Sequence, residues 1–212
     1  MRHKFLYSAA ALLLASLTSQ ANASTYQLSF GGPGVSGALT LTYGAGTDSK
    51  YPQATEITAI NGLFTDTNIG IVNATITGIV PINHAAPEAT NLLAPNDFSK
   101  FPVAVGTMDG SLSYDNLIYF GGSPQTASDY PFHGGILDIY GLLFTINNGD
   151  VVNFWSNGIT PGTTLPDYGV AVATSATTLD YTGGVAITPE PSTLLMLGTG
   201  LSGLIVTLKR KV

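Results

Sequence analysis

Past residue 23 the chain reads as short runs of alternating apolar and polar residues, separated by clusters of Gly, Pro, Asn and Asp. A period of two is the mark of a strand with one face on a core, because successive side chains point to opposite sides. Nine such runs stand out, at 25–30, 38–43, 56–64, 69–79, 117–120, 136–145, 151–155, 168–174 and 178–187. Tyr26, Leu28 and Phe30 share one face, as do Leu39, Leu41 and Tyr43, with Gln27, Ser29, Thr40 and Thr42 opposite. Those apolar sets should point into the core. No segment carries a long amphipathic helical pattern, so the prediction is an all-β body: an antiparallel β-sandwich, with a jelly-roll arrangement left open.

Asn147-Asn148-Gly149-Asp150 lies between two apolar runs. Asn-Gly accepts the positive φ angles of a tight turn, which predicts a hairpin there. The segment 81–130 is poorer in alternation and contains Pro87, Pro95, Pro102 and Pro124. It is expected to hold the long loops, and with them any ligand site.

Both ends differ from this pattern. Arg2 and Lys4 precede an apolar run at 5–17 broken only by Ser8 and Ser16, and Ala21-Asn22-Ala23 supplies an A-x-A cleavage site. That order predicts a signal peptide over 1–23, cut after Ala23. Thirteen residues of helix reach only about 20 Å, short of a bilayer's hydrocarbon core. At the other end Pro189-Glu190-Pro191 leads into an uncharged, mostly apolar stretch over 192–208, about 25 Å as a helix, and then into Lys209, Arg210 and Lys211. The stretch predicts a single transmembrane helix with its basic cluster in the cytoplasm and the body, 24–188, outside. Two prolines around a glutamate keep the junction extended and open to a protease.

This tripartite tail, Pro-Glu-Pro followed by a Leu- and Gly-rich span and Lys-Arg-Lys, resembles the PEP-CTERM sorting signal over 189–212. The resemblance implies an exosortase as processing partner, a membrane cysteine transpeptidase that recognises the tail and cuts near Pro189, Glu190 and Pro191. It also implies an exported protein of the cell envelope or extracellular matrix, membrane-anchored only in transit. More loosely, Gly110-Ser-Leu-Ser-Tyr-Asp-Asn-Leu117 and Gly135-Ile-Leu-Asp-Ile-Tyr-Gly141 resemble stretches in other PEP-CTERM proteins, which bring no activity with them.

Charge narrows the function further. Between residues 24 and 188 twelve carboxylates face two cations, Lys50 and Lys100, for a formal charge of −10. Such a surface repels phosphate backbones and argues against nucleic acid as a partner. The chain has no cysteine, so disulfides and thiolate metal sites are excluded.

Candidate chemistry is sparse. Gly198-Thr199-Gly200-Leu201-Ser202-Gly203 matches G-x-G-x-x-G but lies in the apolar tail without the strand and βαβ unit that a dinucleotide site requires, so no cofactor is expected. Only His84 and His133 remain after signal cleavage and no G-x-S-x-G is present, which disfavours a hydrolase triad. His133 reads as an imidazole packed on the rings of Tyr130 and Phe132, and no metal is assigned to it with His84. Asp129 with Asp138, or Asp109 with Asp115, could form a glycosidase pair if brought together in space. The turns at Asp66-Thr67-Asn68 and at 147–150 offer oxygen ligands for Ca²⁺ but reproduce neither an EF-hand nor a nonapeptide repeat, and solvated turns outweigh that reading. Tyr114, Tyr119, Tyr130, Tyr140 and Trp155 could stack on sugar rings or simply fill the core.

The expectation is therefore an exported, non-catalytic surface or matrix protein with a structural or adhesive role. A carbohydrate-binding β-sandwich in contact with exopolysaccharide and a secreted glycoside hydrolase are the rivals. Ice binding would need a regular Thr-x-Thr ladder, and Thr40-Leu41-Thr42 and Thr75-Ile76-Thr77 are isolated.

Overall fold

A computed structural model describes residues 23–47, 53–82, 99–105, 108–125, 133–174 and 179–188. The predicted signal peptide up to Asn22, the sorting tail from Pro189 and the helices expected in them lie outside these residues. Among the described residues no helix is long and apolar enough to cross a membrane.

The body is all-β, as the alternation predicts. Its strands are β1 (Ser24–Gly31), β2 (Val35–Thr47), β3 (Thr55–Asp66), β4 (Ile71–Ile79), β5 (Ser99–Val105), β6 (Met108–Tyr114), β7 (Leu117–Ile118), β8 (Leu142–Ile146), β9 (Val151–Gly158), β10 (Asp167–Ala173) and β11 (Leu179–Thr188). Every described pairing is antiparallel. The sheet runs β2-β1-β11-β10-β9-β8-β4-β3, with β7 added on β3, and a further β2–β3 pairing joins its ends. Eight strands therefore close into a barrel, in place of the expected sandwich. Alternation specifies one buried face per strand and is the same for both architectures. What distinguishes them is closure, made here by ten residue pairs between β2 and β3, from Val35↔Asp66 to Thr47↔Thr55, and by three between β1 and β11.

The inward faces fill the barrel, as an eight-stranded ring allows. Leu28, Phe30, Leu39 and Leu41 are all buried in it, as their spacing requires. Phe30 stacks on Phe154 at 4.4 Å between centroids, Phe154 on Tyr168 at 5.6 Å, and Phe64 meets Phe144 edge-on at 6.1 Å. The Asn147–Asp150 hairpin forms as predicted. Gly149 at φ 90° ends a three-residue loop closed by the Gly149 N–H on the Ile146 carbonyl at 2.9 Å, and the Asp150 N–H donates to Asn148 Oδ1 at 3.0 Å.

Two parts of the strand reading need correction. The segment expected to be loops contains the hairpin β5–β6, which packs with Leu112, Tyr114, Phe101 and Val103 over Leu143, Val151, Ala171 and Ala173 on the outside of β8–β10. That cover buries both faces of those strands, so β10 is buried along almost its whole length. The run at 136–145 is a strand only from Leu142, because residues 135–141 turn into the polar knot described next.

The two ends of the barrel differ. The β1–β2, β3–β4 and β8–β9 hairpins lie at one end. The other receives the β9–β10 loop, the excursion between β4 and β8, and both ends of the body, Ser24 and Thr188.

Candidate functional site

The two stretches that resemble other PEP-CTERM proteins, 110–117 and 135–141, meet in one buried knot. Asp115, Asn116 and Asp138 are each 2 % exposed. Asp138 Oδ1 accepts the N–H groups of Tyr140 at 2.9 Å and Gly141 at 3.1 Å, and its Oδ2 accepts the Tyr119 hydroxyl at 3.3 Å. Asp115 Oδ1 accepts the Leu117 N–H at 3.1 Å. Asn116, at φ 54°, donates its amide to the Val80 carbonyl at 2.8 Å and accepts the Leu143 N–H at 3.0 Å, tying the end of β4 to the start of β8. Its own carbonyl accepts the Ile57 N–H from β3 at 2.9 Å.

The carboxyl group of Asp138 is also hydrogen-bonded to that of Asp115. Burial, first, lifts Asp138 above its ordinary range, while the surrounding donors pull the other way. Two adjoining carboxyls disfavour ionising together, which favours one shared proton over two buried charges. Neither predicted pairing matches this: Asp115 and Asp138 come from different pairs, the Asp129 half lies outside the described residues, and nothing is described of the Asp109 side chain. The pair is sealed from solvent and each oxygen set caps a tight turn, which is structural use of a carboxylate.

An open cavity of about 280 Å³ lies at the end of the barrel where the termini emerge. Tyr26, Tyr119, Phe120, Ile136, Leu165 and Tyr168 line it, together with Ala186 and Ile187 just before the sorting tail. Phe120 is 50 % and Leu165 76 % exposed. Phe120 packs edge-on against Tyr26 at 5.5 Å and at a tilt against Tyr43 at 5.0 Å, so the rim is aromatic and held in place. The Tyr168 hydroxyl accepts the Ile136 N–H at 3.0 Å and sits at the floor. Burial raises the pKa of this phenol, which stays neutral.

The sugar platform read from the sequence is mostly core. Tyr114 donates its hydroxyl to the Pro81 carbonyl at 2.6 Å, Tyr119 to Asp138, and Tyr140 is buried. Tyr130 lies outside the described residues. Trp155 lies on the barrel's outer wall, where it stacks on Tyr181 at 5.7 Å with Tyr181 60 % exposed. The indole lies across Gly169: a Cβ there would be 2.5 Å from the ring, so glycine is what lets it lie flat. Trp155 Nε1 donates to Asn157 Oδ1 at 3.1 Å, and Asn157 donates to Asp167 at 3.0 Å, which leaves a polar border beside the two rings. Tyr181 and Phe120 were missed in the sequence because each sits in an ordinary alternating run, where exposure is set by neighbours in space.

His133 is exposed, and its carbonyl accepts the Ile159 N–H at 2.8 Å; the neighbouring rings of Tyr130 and Phe132 lie outside the described residues. His84, the sorting residues Pro189, Glu190 and Pro191, the basic residues Lys209, Arg210 and Lys211, and the cleavage residues Ala21 and Asn22 lie outside the described residues. Ala23 begins the described chain as an exposed residue. Among the described residues no three His, Cys, Asp or Glu side chains gather as a metal cluster.

Residues 188–211 match the family model for the PEP-CTERM protein-sorting motif. The chain carries a PEP-CTERM sorting signal. The motif starts at Thr188, the last residue of β11, so the PEP-CTERM tail leaves the barrel beside the aromatic cavity. It supports exosortase-dependent sorting of an exported protein to the cell envelope or beyond it. No curated protein and no solved structure matches the chain.

Proposed function

We propose that this is a non-catalytic surface or matrix protein, delivered by exosortase processing of its tail and acting by adhesion through the barrel. The observation that carries the reading is the sorting motif beginning at the last residue of β11. Support for a non-catalytic body comes from the carboxyl pair: Asp115 and Asp138 are each 2 % exposed, where no substrate bond can approach. Intact-mass measurement of the protein recovered from the envelope and medium of its native host tests delivery. The expected species begins at Ser24 and ends near Pro189, Glu190 or Pro191. A mature chain still ending at Val212 would make it an ordinary C-terminally anchored protein.

The stacked pair Trp155–Tyr181 favours a second reading, contact with exopolysaccharide. Flat aromatic faces bury the CH-rich side of sugar rings, and Asn157 and Asp167 stand beside them to take hydroxyl hydrogen bonds. On a glycan array the purified protein is expected to bind polysaccharide, and Tyr181→Ala to weaken that binding by roughly two- to tenfold, the loss of one stacking contact of about 0.5–1.5 kcal/mol. Unchanged binding in Tyr181→Ala, with loss in Phe120→Ala, would move the contact to the terminal cavity. No binding by the wild-type protein would leave adhesion without a sugar.

A further inference from the structure

At the hairpin end of the barrel, Asp66 from β3 and Asp180 from β11 turn inward toward the mouth. The two strands are not neighbours in the ring, since β1 and β2 lie between them. Asp66 is 1 % exposed. Its Oδ1 accepts the Asn68 N–H at 3.0 Å, but Oδ2 of Asp66 and Oδ2 of Asp180 are both shut off from water with no protein donor on either. The two carboxyls face each other within hydrogen-bonding range. Two carboxylate oxygens in that position repel unless something positive stands between them.

Among the described residues the surroundings supply oxygen and no cation. Thr182, two residues along β11 from Asp180 and also buried, places Oγ1 3.4 Å from the Asn68 side-chain amide, which donates as well to the Pro33 carbonyl at 3.2 Å. Of the body's two cations, Lys100 lies on β5, away from β3 and β11, and Lys50 falls outside the described residues. Two carboxylates as donors, with no histidine or cysteine gathered beside them, select a hard cation.

We propose that the hairpin mouth is a Ca²⁺ site built on Asp66 and Asp180, in which the ion bridges β3 and β11 across the barrel opening. Burial together with the neighbouring Asp180 raises the pKa of Asp66, which agrees with a pair lacking a counter-charge. With two carboxylates and few further ligands the affinity falls in the submillimolar to millimolar range of extracellular Ca²⁺ modules, suited to an exported protein.

The test is thermal melting of the purified full-length chain at pH 7.5 in EDTA, in 5 mM CaCl₂ and in 5 mM MgCl₂, beside Asp180→Asn. Calcium is expected to raise the midpoint by about 3–6 °C, with magnesium weaker. In Asp180→Asn the calcium response should vanish while the EDTA midpoint stays equal or rises, because the repulsion is gone. Calorimetric titration of the wild-type chain with CaCl₂ should show one saturable site, which keeps the proposal testable if the variant does not fold. No calcium shift and no saturable heat would overturn it, as would a shift that persists in Asp180→Asn. A midpoint that rises only on acidification, indifferent to calcium, would mean that a shared proton fills the gap instead.

Discussion

Asp138→Ala is expected to lower the stability of the body by about 3–5 kcal/mol, enough to unfold much of it at 37 °C. The substitution leaves the Tyr119 hydroxyl and the N–H groups of Tyr140 and Gly141 without their acceptor inside a sealed site, and each buried orphan costs about 1–3 kcal/mol. Asp138→Asn should cost far less, because the amide keeps the Oδ1 acceptor and offers an N–H to Asp115. The same pair of variants separates charge from shape. The Asp138 carboxyl is held above its ordinary value near 3.8 in the folded state, mainly by burial. Its stabilising contribution is therefore complete below that value and is lost as pH rises from there to the folded pKa. Denaturant melts from pH 3.5 to 8 should show wild-type stability falling over that rise, with a shallower fall in Asp138→Asn. A residual slope is expected from Asp66, whose pKa is displaced in the same direction. Identical profiles for wild type and Asp138→Asn would show that the knot carries no trapped proton.

Gly62→Ala should be nearly as damaging, costing at least about 3 kcal/mol. Gly62 pairs with Leu39 on the β2–β3 seam at φ 139°, a conformation that side chains avoid. A Cβ there would lie 2.0 Å from the Ala38 carbonyl oxygen and 3.0 Å from Leu39 Cα, and backbone cannot step aside without parting the seam that closes the barrel. Gly70→Ala is the matched control: φ is +77° but nothing lies within 4 Å of the new carbon, so only the torsional cost of about 1 kcal/mol should appear. Urea midpoints of the two variants read the difference, and equal losses would show that the seam does not govern stability.

How much of this was legible in the sequence depends on how local each signal is. The alternation at Leu28, Phe30, Leu39 and Leu41 placed the core faces correctly, because a period of two is a property of one strand. The Asn147–Asp150 hairpin was equally legible, since its turn chemistry lies within four residues. Barrel closure was not, as it rests on pairing between residues such as Phe30 and Ile187, far apart in the chain. β5 and β6 were missed because Pro102 and short side chains mask the alternation in a hairpin that only covers other strands. The carboxyl pair was mismatched for a related reason: Asp115 and Asp138 each cap a local turn, and nothing in either turn names the other. The tail, whose signal is an ordered string of residues, was legible without any fold.

The closed ring bears on how such a body behaves at high local concentration outside the cell. A sheet with open edges offers rows of unpaired N–H and C=O groups on which another copy can add a strand, and open sheets commonly guard those edges with lysine. This body has two lysines in all. Its eight barrel strands have both neighbours in place, so among the described residues strand addition is left to the two-residue β7 and the β5–β6 cover. A charge-poor, threonine- and glycine-rich barrel can then be crowded with little growth into fibres, and contacts between copies fall mostly to side-chain surfaces and little to backbone.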